Sequence, residues 1–195
     1  MRGPETPSFH FAGPADAAAV ADLHARSWRR HYRGAYSDAF LDGDVFADRL
    51  AVWTERLSDP DPRRCTILAD DGGLIGFANT FLDDDREWGA LLDNLHVDAR
   101  RHRRGIGRRL LAMTAEAVLE RGKSSGLYLW VLEQNVAAQA FYEACGGRRV
   151  GRELATPPGG VAGRLRGSPA KLRYVWRDPA VLLGGPKPLG AGEKR

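Results

Sequence analysis

Apolar positions along the chain change period several times, and each change marks an element. TPSFHF predicts a short strand over about residues 7–12. After the Gly13-Pro14 break, Asp16 stands where a helix cap belongs, and Val20, Leu23, His24, Ser27 and Trp28 recur near helical spacing. Val45, Phe46, Leu50, Trp53 and Leu57 predict a second helix from Asp44 to Leu57, ended by Asp59-Pro60-Asp61-Pro62. The period then shortens. Cys65 to Ala69 and Leu74 to Phe81 read as a hairpin around Asp70-Asp71-Gly72-Gly73, and Asp83-Asp84-Asp85 as a turn into a long strand from Glu87 to Val97.

A helical period returns from Gly105 to Arg121, with Ile106, Leu110, Met113, Thr114, Ala117 and Val118 on one face and Gly122 as its stop. Leu127 to Leu132 is an unbroken apolar run, as in a strand covered on both faces. Asn135 caps a short helix, Val136 to Cys145, and strands are predicted over Arg148–Leu154 and Lys171–Trp176. The order predicts a mixed α/β domain over residues 1–177, with six or seven strands and a central βαβ unit; the Gly/Pro-rich segment 178–195 reads as a disordered basic tail.

Composition narrows the class. The chain has 195 residues, 43% hydrophobic and 28% charged, which suits one packed domain. A net charge of +4 and a pI near 9.3 favour an anionic ligand without calling for nucleic acid. The first residues lack the apolar run of a signal peptide, no stretch has the length of a membrane span, and Cys65 and Cys145 read as buried thiols. The expectation is a cytoplasmic protein with neither a membrane nor nucleic acid as partner. Its five histidines and two cysteines show no metal-ligand spacing.

The strongest local signal is RRHRRGIGRRLL, residues 100–111, in which six arginines surround two glycines where a helix begins. Such a start offers unpaired backbone N–H groups to an anion. A P-loop is excluded because Gly122-Lys123-Ser124 lacks its first glycine, position 117 being Ala. A dinucleotide fingerprint is excluded because Leu110 follows Gly105 and Gly107 where a third glycine belongs. A nucleic-acid phosphate stays open, although no aromatic platform accompanies the arginines.

Over residues 87–147 the chain resembles the Gcn5-related N-acetyltransferase (GNAT) superfamily. DNLHVDARRHRRGIGRRLL matches the family's strand and glycine loop, and LYLWVLEQNVAAQAFYEACGG matches its following strand and N-x-x-A-x-x-F-Y helix. The resemblance implies a mostly antiparallel GNAT sheet and acetyl-CoA as co-substrate, with no metal. It places the pyrophosphate on the backbone of His102, Arg103, Arg104, Gly105, Ile106, Gly107 and Arg108, the pantetheine arm on Asn135, and the leaving sulfur at Tyr142; Leu95 is a further cofactor contact, and main-chain N–H groups around His96 and Val97 polarise the thioester carbonyl. His102 stands where the family has Gln or Arg.

The family's strand glutamate is replaced by Leu91, so the proton acceptor is open between Asp93, His96 and a water chain. Asp93 lies between leucines that would desolvate it. Strand alternation turns His96 to the opposite side from Asp93 unless a bulge intervenes. Trp28, Tyr32 and Tyr36 are expected to wall the acceptor site, with Asp38 or Asp42 at its mouth for a cationic amine. The activity implied is direct acetyl transfer to a primary amine; a catalytically silent CoA-binding sensor or scaffold is the alternative. The acceptor's identity, the donor's acyl length and the choice between monomer and homodimer are not fixed by sequence.

Overall fold

A computed structural model describes residues 6–59, 61–123 and 126–184. Seven strands form one sheet: β1 (Ser8–Phe11), β2 (Arg64–Asp70), β3 (Leu74–Asp85), β4 (Gly89–Val97), β5 (Leu127–Leu132), β6 (Arg148–Leu154) and β7 (Ala170–Trp176). Their order is β1-β2-β3-β4-β5-β7-β6, and every pair is antiparallel except β4 with β5. That parallel pair is joined through α4 (Ile106–Arg121), which is the expected crossover.

Alternation along the strands separates two layers of core. Ile67 and Ala78 pack toward α4, whereas their neighbours Leu68 and Phe77 pack against α1 (Ala17–His31) and α3 (Val45–Ser58). The helix α5 (Val136–Ala144) lies with α4, its Tyr142 set in the same core as Tyr174 and Trp176 of β7. Cys65 and Cys145 are free and buried there.

Several local expectations are corrected. Asp16 does not receive a hydrogen bond as a helix cap; its carboxylate accepts from the Gly13 N–H at 2.8 Å, across a short 3-10 turn that precedes α1. Asp83–Asp85 belong to β3, because the ladder continues to Asp85 opposite Gly89 and the Asp85 side chain then caps Glu87 and Trp88. A five-residue helix, α2 (Asp38–Asp42), was too short to show a period. Past residue 177, Pro179–Leu182 form a 3-10 turn that buries Pro179 and Leu182 against the core, so composition set the expected boundary too early; residues 185–195 lie outside the described ones.

The feature that makes a site is the parting of β4 from β5. Only Ala90–Leu127 and Leu91–Tyr128 pair. At that vertex the two chains touch through glycines. A Cβ on Gly89, whose φ is +87°, would meet the Gly126 carbonyl oxygen at 2.2 Å, and one on Gly126 would meet the Trp88 carbonyl oxygen at 2.4 Å. Beyond the vertex β4 bulges. Thr80 pairs with Leu92 and Asn79 with Asn94, so Asp93 is the extra residue. The bulge bends β4 away from β5 and leaves a V-shaped gap open toward the strands' C-terminal ends.

Candidate active site

The gap widens into a cleft of about 700 Å³ that holds most of the sequence-predicted residues. Leu95, His96 and Val97 line it from β4, and Asn135 and Tyr142 from the start and far end of α5. From the glycine loop come His102, Arg103, Gly105, Ile106, Gly107 and Arg108. Arg104 is the exception and faces a smaller hollow beside the β2–β3 turn. His31, which lies in the stretch expected to wall the acceptor site, also lines the cleft, as do Ser27, Trp130 and Phe141, for which no site role was expected. Helical spacing from Ser27 to His31 and strand alternation from Leu129 to Trp130 were the available signals.

Arg103 (φ +61°) and Gly105 (φ +79°) both take the left-handed conformation immediately before the α4 start, where unpaired helix amides can receive an anion. Gly107 is ordinary helix backbone, but a Cβ there would touch Phe141 at 3.4 Å and Val97 at 3.7 Å, inside the cleft. Of the six arginines, Arg100 pairs with Asp98, Arg101 with Asp71 and Arg109 with Glu116. Arg103 and Arg108 line the cleft and make no ion pair with a described residue. His102 has a structural task. Its Nε2 lies 3.0 Å from the Val97 carbonyl and ties the loop to the end of β4.

Asn135 and Tyr142 each do two things. The Asn135 Oδ1 accepts from Ala138 N at 3.2 Å, capping α5, which leaves its amide N–H groups for the cleft. Tyr142 packs edge-on against Phe141 and Trp176, and its hydroxyl bonds no other described residue. Burial pushes the phenol's pKa well up, so it stays protonated at neutral pH.

The bulge changes the picture for the proton acceptor. Because Asp93 is extra, Leu92 and Leu95 both face α4, while Asp93, Asn94 and His96 all face α1 and α3. Asp93 is therefore not enclosed by leucines, as expected from sequence; it meets Arg56 of α3 at 2.8 Å. His96 comes round to the same side as Asp93. Its Nδ1 lies 2.8 Å from Ser27 Oγ, and its ring sits beside His24 and Phe77. Burial, with the nearby His31 and Arg49 charges, pulls its pKa down to about 3. His96 is thus a neutral imidazole and a poor proton acceptor.

That depression predicts acid lability. A histidine in the unfolded chain titrates near ~6.5, so between there and about 3 the unfolded state binds the extra proton. This contribution is intact above the unfolded value and is lost as the pH falls through the window. Replacing His96 with Gln is expected to flatten the fall in thermal midpoint between neutral and acid pH. The change amounts to at most one proton, or about 1.4 kcal/mol per pH unit.

Of the three aromatic residues expected to wall the acceptor site, Tyr32 lines the cleft and Trp28 and Tyr36 do not. Trp28 is buried beneath it, and Tyr36 packs edge-on against Trp28 at 5.0 Å. Burial and the potentials of Tyr36, Tyr142 and Asp93 push the Tyr32 phenol far up, so these groups converge on one region. Asp38 and Asp42 do not serve as an anionic mouth, since both pair with Arg33. The β6–β7 loop closes over this joint. Ser37 N donates to Arg164 O at 2.9 Å, Arg166 N to Ala35 O at 2.8 Å, and the Arg164 guanidinium meets Asp48 at 2.6 Å.

Among the described residues no group of three or more His, Cys, Asp or Glu could hold a metal, and no helix is long and apolar enough to cross a membrane.

Comparison with known proteins adds to this geometry. The family described as "Acetyltransferase (GNAT) family" matches residues 22–147. The protein named "Uncharacterized N-acetyltransferase YuaI" of Bacillus subtilis is 29% identical over 142 residues, covering 71% of this chain and 78% of its own. Two solved structures share the fold. PaiA N-acetyltransferase of Thermoplasma acidophilum, in complex with coenzyme A, is 18% identical with a TM-score of 0.62, covering 88% of this chain and 100% of that one. YncA of Salmonella typhimurium, with its cofactor acetyl-CoA, is 18% identical with a TM-score of 0.61, covering 96% and 99%.

Proposed function

The chain belongs to the GNAT acetyltransferase family, and from that premise we propose that it transfers an acetyl group from acetyl-CoA to a primary amine by direct attack in a ternary complex. The observation that carries this reading is the parting of β4 and β5 after two paired residues, with a glycine loop at the wide end and Tyr142 within. The similar YncA and PaiA structures hold acetyl-CoA and coenzyme A respectively.

The donor's pyrophosphate would lie on the amides between Arg103 and Gly107, with Arg103 and Arg108 giving charge-assisted contacts. Leu95 and Val97 would offer main-chain groups to the pantetheine arm, and Asn135 its free amide. The thioester carbonyl would be polarised by β4 amides exposed at the bulge, where no β5 partner consumes them.

Tyr142 would donate a hydrogen bond to the sulfur as charge develops there. Complete proton transfer from so weak an acid to a thiolate of ordinary pKa ~8.5 is uphill, so stabilisation in the transition state is its main contribution. Among the described residues lining the cleft, Asp93 supplies the sole carboxylate, and the amine's proton would leave toward it. Arg56 fixes that carboxylate's position. His96 would orient Ser27 and the β4 backbone; it does not take the proton.

Thiol release measured over a matrix of acetyl-CoA and amine concentrations tests this reading. Intersecting double-reciprocal lines are expected, with no acetylated protein formed when the amine is omitted. Parallel lines with an acetyl-protein adduct would replace direct attack by a covalent route. CoA binding without thiol release for any amine would favour the silent sensor.

A further inference from the structure

We propose that the sheet face beside the cleft carries a carboxylate-binding subsite, formed by Arg173 and Lys171 over Trp130, which selects acceptors bearing a carboxylate as well as the amine. The proposal rests on the acetyl-transfer reading for the amine, and on separate observations for the anion.

Alternation along β5 puts Leu129 and Val131 in the core and turns Trp130 to the other face, where it lines the cleft. Arg173 of β7 is directly opposite Trp130 in the ladder. Its guanidinium carbon lies 4.4 Å from the Trp130 ring centre and 4.9 Å from that of Trp88, so two indoles hold the cation in place. Lys171 Nζ sits 4.3 Å from the Trp130 ring centre. Ring contacts engage the faces of a guanidinium and leave its N–H edges for an oxyanion, the geometry in which arginine binds carboxylates.

Among the described residues Glu153 is the carboxylate that both cations contact, 3.2 Å from Arg173 and 3.7 Å from Lys171, and its side chain is 51% exposed. Asp85 acts on Arg173 only from a greater distance and is held by the Glu87 and Trp88 amides. Arg173 Nε is also buried without a hydrogen-bond partner. A buried donor of that kind costs free energy until an acceptor reaches it.

On the α1–α3 side of the cleft the carboxylates are already matched: Asp93 by Arg56, Asp48 by Arg49 and Arg164, and Asp38 and Asp42 by Arg33. A polyamine would therefore meet no unpaired carboxylate among these residues.

Two measurements test the subsite independently. Trp28, Trp53 and Trp176 are buried, so quenching of tryptophan fluorescence by small ions reports on Trp88 and Trp130. The ratio of iodide to caesium quenching, scaled to the same ratio for free N-acetyltryptophanamide, is expected to be higher in the wild type than in an Arg173→Gln/Lys171→Gln variant. An equal scaled ratio in the two proteins would overturn the anion site.

For the acceptor, thiol release is compared between amino acids and their decarboxylated counterparts, leucine with isoamylamine and phenylalanine with phenethylamine. The amino acid is expected to lead by about tenfold or more in kcat/KM, the scale of a charged hydrogen bond. Arg173→Gln should erase that lead while the KM for acetyl-CoA stays unchanged. A lead for the decarboxylated amines, or a ratio unmoved by Arg173→Gln, would overturn the selectivity. Absence of thiol release from every amine would instead count against acetyl transfer, and the ion quenching would then decide the anion site alone.

Discussion

Gly107→Glu is expected to abolish stabilisation of the protein by acetyl-CoA while leaving the free protein folded. At a ligand concentration near 100 Kd, linkage gives about 2.7 kcal/mol of stabilisation, which for a domain of this size is a rise of ~5–10 °C in Tm. Gly107 has ordinary helical backbone, and a Cβ there makes contacts of 3.4 Å or longer, so the fold tolerates a side chain. The glutamate would instead extend between Phe141 and Val97 and set a negative charge beside the amides proposed to bind the pyrophosphate. Differential scanning fluorimetry with and without acetyl-CoA reads the effect. A variant still stabilised like the wild type would remove the donor from this loop and return the unpaired arginines to other anions, nucleic acid among them.

Tyr142→Phe is expected to lower kcat by about 10²-fold or more, the usual scale for losing a positioned proton or hydrogen-bond donor, with little change in the KM for acetyl-CoA. The ring stays, so packing against Phe141 and Trp176 is kept and the thermal midpoint should hardly move. Because the phenol's pKa is raised, wild-type activity should show no loss from its ionisation up to at least pH ~9. Steady-state rates across pH for both proteins check this. An unchanged kcat in Tyr142→Phe would reduce Tyr142 to an aromatic anchor of α5.

Much of this site was legible because its signals are local. The glycines at 105 and 107, the arginines around them and the cap at Asn135 act through the backbone of their own segments. Sequence spacing therefore located them, and both glycines, Asn135, Arg101, Arg103 and Arg108 line the cleft, while Arg100, Arg104 and Arg109 do not. Tyr142 was picked out by the resemblance of the helix that Asn135 begins to the family's N-x-x-A-x-x-F-Y segment. The acceptor side was read less well, since it is assembled from α1, α3, β5 and β7, distant in sequence. Trp28 and Tyr36 look like pocket residues as a string, yet packing places them beneath Tyr32. Asp38 and Asp42 look like free anions until Arg33 folds over them.

The sequence by itself determined the strands, the four longer helices, the glycine-loop helix start and the crossover that joins β4 to β5. Each depends on apolar period and turn chemistry within a dozen or so residues. Only the tertiary structure decided the side to which the β4 residues turn. One extra residue at Asp93 reverses the parity of all that follow, and such a bulge is defined by the partner strand β3. The same bulge sends Asp93 to Arg56 and brings His96 to its side. Likewise, the stacking of Arg173 between Trp88 and Trp130 exists only because residues far apart in sequence meet on adjoining strands and their turn. Chemistry carried by one segment was visible in the chain, while chemistry shared between segments required the fold.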